Sequence, residues 1–377
     1  MRLNPFLRYL VTIVCLIAGL ALFQPANAST KAGQFNGLTL DVARHHYQVK
    51  TLKQFIHQVK INHGQFVQLH LTDSQSFAIE NETIGQTLAN ATQSHGVWRN
   101  KTTHQAFYSK AQIATLLAYA KQQQVTLIPE VDTPAHLGGL VATLKANHQQ
   151  KLVQQLITQN HSYGPEFKLT NASIDFVSQI DSEVAHSFTG QANARFHLGG
   201  DEFTDNTKPN PAYVTYLNRL AANVKRLGFI PEAWNDGFLT HDLPSLDHQI
   251  QVTYWNWTAD EKGAAGRARK QTWATMPQLI HQGFKVLNYN DYYLYFNITK
   301  ANLKPKNVAY MSSDMKQNWD PTIWDNDAQS SLNSLHGITG SSISIWCESD
   351  KPATDKQIYQ SSRSFLKKFL DLARQPI

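Results

Sequence analysis

Cysteine is scarce in this chain, which has only Cys15 and Cys347 among its 377 residues. Two cysteines cannot build the disulfide framework of a small secreted domain, so the fold has to be stabilised by a hydrophobic core. Heptad runs, low-complexity linkers and obvious internal repeats are also missing. Coiled coils and repeat arrays are therefore excluded, and a hydrophobic content of 42% is typical of a globular chain.

Clusters of Lys and Arg are absent as well. The formal charge of the chain is +6, a mild excess that is spread along the sequence. Because nucleic-acid-binding proteins concentrate their positive charge in patches, this distribution argues against a nucleic-acid partner. A weakly basic surface is compatible with loose association with an anionic cell wall.

The N-terminal residues 1–28 have the pattern of a secretory signal peptide. Arg2 and Arg8 supply positive charge, an apolar run extends from Leu10 to Phe23, and Ala26-Asn27-Ala28 is a small-x-small cleavage site. The run is shorter than the about 20 residues that a membrane-spanning helix needs. We therefore expect cleavage and secretion without stable membrane insertion, with an uncleaved anchor as the alternative.

Cleavage after Ala28 also removes Cys15 and both N-terminal arginines. Residues 29–377 then carry a formal charge of +4 and a single cysteine, Cys347. An internal disulfide is therefore not expected, and we treat residues 29–377 as one catalytic domain.

Short apolar segments alternate with amphipathic ones along this domain. Eight segments have the pattern of strands, namely 37–41, 66–71, 125–129, 195–198, 229–234, 250–255, 284–289 and 342–346. Alternation with helical segments favours an α/β protein with parallel strands closed into a single (β/α)8 TIM barrel. A doubly wound open sheet is the alternative, but it usually has a glycine-rich turn after its first strand, where this chain has Asp41-Val42-Ala43-Arg44.

Polar and aromatic residues follow most of the predicted strands, at the barrel end where active sites lie. Each has an ordinary explanation by itself, such as a surface ion pair for Arg44 or core packing for a tryptophan. Six or more strands that end in this way are hard to explain by chance. Aromatic walls combined with carboxylates suit a sugar ligand.

The segment from Phe196 to Phe203 is the most informative of these strand ends. A short strand stops at Gly199 and Gly200, which permit a sharp turn and close approach of a ligand, and Asp201 and Glu202 follow. Most glycosidases use two carboxyl groups about 5–10 Å apart, a pair that sequence neighbours need not form. Adjacent acids suit attack by the substrate's own 2-acetamido oxygen, with one acid on the leaving oxygen and the other on the amide nitrogen. Two solvated loop acids are the alternative.

Several segments together resemble glycoside hydrolase family 20, the β-N-acetylhexosaminidases. They are Gly37–His45, His70–Asp73, Pro129–His136 and His197–Phe203. Later segments are similar to the dispersin B branch of that family, namely Trp234–Gly237, Thr253–Trp255, Val286–Asn290, Tyr292–Tyr295, Asn318–Asp320 and Ser344–Glu348. The resemblance implies hydrolysis of poly-β-1,6-N-acetylglucosamine, a biofilm matrix polymer.

The resemblance also implies catalytic roles for five residues. Glu202 is the general acid/base, and Asp201 orients the acetamido group and stabilises the cyclic intermediate. Tyr295 hydrogen-bonds the acetamido oxygen. Asp73 and His136 form a relay behind Glu202 that tunes its protonation.

Five further residues are implied to bind the sugar. Trp234, Trp255 and Trp346 form the walls of the pocket, while Arg44 and Glu348 hold hydroxyl groups. No cofactor and no metal ion are expected for catalysis.

These observations predict a secreted, monomeric retaining glycosidase whose partner is an oligo- or polysaccharide containing N-acetylglucosamine. A general exo-β-N-acetylhexosaminidase acting on chito-oligosaccharides or cell-wall glycan fragments is the first alternative. The basic charge of the chain is one reason to retain this alternative, because a basic enzyme would not attract a partly deacetylated, cationic biofilm polymer. A non-catalytic sugar-binding protein is the second alternative, against which the intact Asp201, Glu202 and Tyr295 argue.

Overall fold

Eight parallel strands close into a barrel. They are Gly37–Asp41, Phe66–His70, Thr126–Glu130, Arg195–His197, Ile230–Trp234, Gln251–Tyr254, Lys285–Asn288 and Ile338–Trp346. Neighbours in this order pair in parallel, and the ring closes because Gly37 lies opposite both Phe66 and Ser342. The predicted (β/α)8 barrel is confirmed, and every predicted strand is present within one residue at its start apart from the last, which begins four residues earlier than expected.

The computed structural model describes residues 34–159, 164–258, 263–325, 330–348 and 353–375. The expected signal peptide, residues 1–28, lies outside these ranges. Among the described residues, no helix combines the length and the apolar character that crossing a membrane requires. Cys347 is a free thiol and is buried.

Helices connect the barrel strands. The long ones are Val49–Ile61, Lys110–Gln123, Asn171–Ser187, Pro211–Arg226, Pro305–Asn318 and Asp355–Leu372, and the shorter ones are Gly138–Ala146, Gln150–Leu156, Gly263–Thr272, Met276–His281 and Asp291–Leu294. The apolar spacing at Leu52, Phe55 and Val59 sets the buried face of the first helix, as predicted. The last helix begins with the predicted capping box of Thr354 and Gln357.

The barrel interior contains both apolar and polar side chains. In the second strand, Phe66 belongs to an inner hydrophobic cluster with Ile128, Trp234 and Tyr289. Further along the same strand, Gln68 and His70 are buried polar residues. Because alternate side chains of a strand face the same side, all three point into the barrel. In this strand the polar residues therefore lie towards the C-terminal end.

Three additions to the barrel were not predicted, one of which is the antiparallel pair of short strands Ile157–Thr158 and Glu166–Phe167. An antiparallel three-stranded sheet, Ala91–Ser94, Val97–Asn100 and Ala106–Phe107, occupies the long polar connection after the second barrel strand. A short strand, Tyr295–Asn297, pairs in parallel with the end of the last barrel strand, Ser344–Trp346. Pairing with the last barrel strand brings Tyr295 to the rim of the barrel.

Candidate active site

The C-terminal ends of the strands surround a cavity of about 280 Å³. Its charged lining consists of Arg44, Asp73, His136, Asp201, Glu202 and Glu348. Its aromatic lining consists of Trp255, Tyr295 and Trp346. The structure therefore brings nine of the ten predicted site residues together around one opening.

Two glycines shape the loop that carries the acids. Gly199 and Gly200 have φ angles of +74° and +99°, in the region that residues with a Cβ atom rarely adopt. A Cβ atom on Gly199 would overlap Asp132 Oδ1. The same oxygen accepts a hydrogen bond of 3.1 Å from the N–H of Gly200. The glycines therefore allow the loop to pass directly over the buried carboxylate of Asp132.

A second buried carboxylate, Asp236, holds the backbone of Glu202. The N–H of Glu202 donates to Asp236 Oδ1 over 3.0 Å, and the indole N–H of Trp255 donates to Asp236 Oδ2 over 2.7 Å. Burial, with the nearby charge of Asp201, raises the pKa of Asp236 to about 8. The arrangement fixes the acid relative to one aromatic wall of the cavity.

His136 stands between the acids and Asp73. Its Nε2 atom lies 3.4 Å from Glu202 Oε2 and 3.8 Å from Asp201 Oδ2, and its Nδ1 atom lies 3.9 Å from Asp73 Oδ1. Burial opposes protonation of the ring, but the surrounding carboxylates, Glu202 foremost, raise the pKa of His136 to about 10. The order Asp73, His136, Glu202 is the one required for the predicted relay.

The two adjacent acids have different environments. Burial, reinforced by the charge of Glu202 and opposed by His136, raises the pKa of Asp201 to about 6. Asp201 Oδ1 is buried and makes no hydrogen bond to any part of the chain that the structure describes. The side chain of Glu202 is 31% exposed. Asp201 is therefore suited to accept a hydrogen bond from a ligand, and Glu202 to exchange protons near the opening.

Arg44 joins two strand ends. Its Nη1 atom lies 3.1 Å from Asp41 Oδ2, and its Nη2 atom lies 2.6 Å from Asp73 Oδ2. Although burial opposes ionisation of Asp73, its hydrogen bond to His70 and the charges of His136 and Arg44 hold its pKa well below the usual range. Arg44 thus presents a fixed cation at the wall of the cavity.

Three aromatic rings form one side of the cavity. Trp255 and Tyr295 are nearly parallel, with centroids 6.2 Å apart and planes at 5°. Tyr295 meets Trp346 edge to face at 5.6 Å. The apolar faces of a sugar ring can pack against such surfaces.

Trp234 differs from the other predicted wall residues because it does not line the cavity. It is only 1% exposed, and its indole N–H donates to Glu130 Oε1 over 2.8 Å. Its ring lies 6.3 Å from that of Trp346. Trp234 therefore supports the wall from inside the barrel, which its place in the sequence did not indicate.

Two residues that line the cavity were not predicted as site residues. His70 lies between two acids, with Nε2 at 2.8 Å from Asp73 Oδ2 and Nδ1 at 3.1 Å from Glu130 Oε2. Its position at the end of a predicted strand could have identified it as a site residue. Asn297 also lines the cavity, but only the pairing of Tyr295–Asn297 with the last strand brings it there.

Comparison with known proteins places this site in a family. The model of the glycosyl hydrolase family 20 catalytic domain matches residues 34–363. The crystal structure of Dispersin B superposes with a TM-score of 0.86 at 31% identity, covering 91% of this chain and all of that chain.

Curated relatives are more distant and longer. A β-hexosaminidase of Porphyromonas gingivalis is 31% identical over 45% of this chain and 21% of its own length. A chitooligosaccharidolytic β-N-acetylglucosaminidase of Bombyx mori is 24% identical over 88% of this chain and 56% of its own length. The chain thus spans less than two thirds of these relatives, whereas the catalytic domain model matches most of this chain. This chain belongs to glycosyl hydrolase family 20.

Proposed function

We propose that this protein is a secreted, retaining β-N-acetylglucosaminidase that uses substrate-assisted catalysis and hydrolyses poly-β-1,6-N-acetylglucosamine. The observation that carries the proposal is the pair Asp201 and Glu202 at one cavity. Asp201 has an unpaired, buried oxygen, whereas Glu202 is partly exposed beside His136. Two adjacent acids with such different surroundings suit two different tasks.

Binding of the sugar is assigned to the walls of the cavity. Trp255, Tyr295 and Trp346 cover the apolar faces of one pyranose ring, while Arg44 and Glu348 bind its hydroxyl groups. The indole nitrogen of Trp346 is buried and donates to none of the residues in the described ranges, so it is a further donor for a sugar oxygen. A ring held in this way presents its 2-acetamido group to Asp201.

The first chemical step forms a cyclic intermediate. The acetamido oxygen attacks the anomeric carbon, the bond to the leaving oxygen breaks, and Glu202 donates its proton to that oxygen. Asp201 accepts a hydrogen bond from the amide N–H and stabilises the positive charge that develops there. Tyr295 orients the acetamido oxygen for attack.

The second step opens the ring of the intermediate. Glu202, now a carboxylate, accepts a proton from a water molecule that attacks the anomeric carbon. Two inversions at this carbon give retention of configuration. His136, whose Nε2 atom lies 3.4 Å from Glu202 Oε2, helps to keep the Glu202 side chain in place for this step.

Two observations support the β-1,6-linked polymer as substrate. The sequence segments from Trp234 to Glu348 are similar to the dispersin B branch, and the likeness to the Dispersin B structure covers that whole chain. A 1,6 linkage has one more rotatable bond than a 1,4 linkage, so the second sugar can turn away from the first. The formal charge of +4 expected for residues 29–377 opposes binding of a deacetylated polymer, but such repulsion is screened beyond about 8 Å at physiological salt.

Initial rates on β-1,6-linked and β-1,4-linked N-acetylglucosamine trimers at matched concentrations test the substrate. The proposal predicts faster cleavage of the 1,6-linked trimer. Faster cleavage of the 1,4-linked trimer would instead identify a general exo-β-N-acetylhexosaminidase acting on chito-oligosaccharides or cell-wall glycans. Binding of both trimers without cleavage would identify a sugar-binding protein.

Secretion rests on the signal pattern of residues 1–28 and has its own test. The full chain is expressed in a bacterial host with a functional secretory pathway, and the N-terminus of the exported protein is determined by mass spectrometry. A mature N-terminus at Ser29 supports secretion. A protein that stays in the cytoplasm with an intact N-terminus contradicts it.

A further inference from the structure

Three ligand atoms converge beneath the loop that carries the catalytic acids. One ligand atom from each of Asp132, His136 and Asp201 lies within 4.8 Å of the other two. Asp132 is fully buried, and His136 is only 8% exposed. Within the described part of the chain, Asp132 Oδ2 forms no hydrogen bond, and His136 Nε2 has only the approach of Glu202 Oε2 at 3.4 Å. Buried polar atoms are almost always paired, so atoms that face one another in this way are suited to share a ligand.

The separations of these atoms fit a small cation. His136 Nε2 lies 4.0 Å from Asp132 Oδ2 and 3.8 Å from Asp201 Oδ2. In a tetrahedral zinc site with bonds of about 2.0–2.1 Å, two ligand atoms are about 3.3–3.4 Å apart. Small rotations of the side chains are therefore enough to bring the three atoms into zinc-binding positions.

The surroundings already hold one of the ligands and place a carboxylate behind a second. Asp132 is anchored through its other oxygen, which accepts the N–H of Gly200. His136 turns its other nitrogen towards Asp73 Oδ1 at 3.9 Å, and Arg44 holds Asp73 over 2.6 Å. A carboxylate behind a histidine is the usual support of a zinc-binding imidazole.

The donor set favours zinc over the hard cations. One imidazole with two carboxylates suits Zn²⁺, whereas Mg²⁺ prefers six oxygen ligands and keeps much of its water. A neighbouring group also has three ligand atoms within 4.8 Å of one another, from His70, Glu130 and Asp132. Its glutamate is already engaged, since Glu130 accepts hydrogen bonds from Gln68 and Trp234 over 2.8 Å each. The group of Asp132, His136 and Asp201 is therefore the better candidate for binding a metal ion.

We propose that Asp132, His136 and Asp201 form a Zn²⁺ site at which the bound ion reversibly inhibits the enzyme. The ion takes no part in the reaction. It occupies the carboxylate of Asp201 and so blocks the contact with the acetamido group. The inhibition rests on the proposed function, whereas the binding of zinc does not.

Calorimetric titration of the complete protein with ZnCl₂ in a non-chelating buffer tests the site directly. We expect one ion per chain, with no comparable binding of Mg²⁺. Asp132→Asn and His136→Gln should each weaken zinc binding at least about tenfold. The matched control is Asp181→Asn, because Asp181 is a carboxylate that is 1% exposed in the helix Asn171–Ser187 and does not line the cavity. Circular dichroism confirms that each variant is folded.

Inhibition is measured separately, on a chromogenic N-acetyl-β-glucosaminide. Zinc should raise the apparent KM with little change in kcat, and EDTA should restore the original rate. The absence of zinc binding, or equal affinities in the two ligand variants and the control, would overturn the site. Zinc binding that depends on Asp132 and His136 in a protein without hexosaminidase activity would support the metal site and overturn the proposed function.

Discussion

The backbone N–H of Glu202 donates a hydrogen bond of 3.0 Å to Asp236 Oδ1. The other oxygen of Asp236 accepts the indole N–H of Trp255, so one buried carboxylate ties the acid to an aromatic wall. Glu202 has a φ angle of +50°, a conformation that costs an L-residue about 1–2 kcal/mol. The hydrogen bond to Asp236 helps to hold Glu202 in this conformation.

Asp236→Asn should therefore lower kcat. An amide can accept from only one of the two N–H groups, and its own NH₂ then faces the other. Leaving a buried N–H without its acceptor costs about 1–3 kcal/mol, which corresponds to a rate loss of about fivefold or more. Asp242→Asn is the matched control, since Asp242 is also buried and accepts a backbone N–H, that of Asn210. Equal kcat values for the two variants would contradict this role of Asp236.

Glu202→Gln should nearly abolish hydrolysis of oligosaccharides. General acid catalysis accelerates such reactions about 10²–10⁴-fold. The variant loses this acceleration because glutamine has no proton to donate to the leaving oxygen. Aryl glycosides with good leaving groups should lose less in the first step because they need less proton assistance. The measurement is kcat/KM over a series of leaving groups. Near-normal activity of the variant on oligosaccharides would remove Glu202 from the role of general acid.

Gly199→Ala should destabilise the protein more than Gly228→Ala does. Both glycines have positive φ angles, +74° and +88°, so both substitutions carry a similar backbone cost of about 1–2 kcal/mol. A Cβ atom on Gly228 meets nothing within 4 Å, whereas one on Gly199 overlaps Asp132. Urea denaturation gives the two free energies of unfolding. Equal losses would show that the loop can move away from Asp132.

Arg44→Lys should weaken substrate binding although it keeps the charge. A lysine ammonium is a single point charge and cannot reproduce the two contacts of the guanidinium with Asp41 and Asp73. We expect KM to rise about tenfold or more, in line with about 1.5–3 kcal/mol for a hydrogen bond to a charged group. Lys50→Arg is a control for changes between the two cations, since Lys50 is exposed and does not line the cavity. An unchanged KM in the Arg44 variant would contradict the role assigned to Arg44.

Much of the fold could be predicted because its signals are local. Leu52, Phe55 and Val59 recur at helical spacing, and Thr354 with Gln357 caps a helix within four residues of sequence. The short strand Tyr295–Asn297 has no such signal, because it is a strand only by pairing with Ser344–Trp346, nearly 50 residues away.

The site shows the same division. Asp201 and Glu202 stand out because two glycines and two acids follow a strand within eight residues. The burial of Trp234 could not be predicted, since it depends on Glu130, which lies on a different strand. The role of Asp236 in holding Glu202 could not be predicted either, because its hydrogen-bond partners Glu202 and Trp255 follow the preceding and the next barrel strand.

The most direct test of the account compares two substrates that differ in one group. The value of kcat/KM is measured for 4-nitrophenyl N-acetyl-β-glucosaminide and for 4-nitrophenyl β-glucoside, which lacks the acetamido group. If the acetamido oxygen is the nucleophile, only the first compound is hydrolysed, and Asp201→Asn or Tyr295→Phe slows its hydrolysis by weakening charge stabilisation. Hydrolysis of the glucoside at a comparable rate would contradict substrate-assisted catalysis.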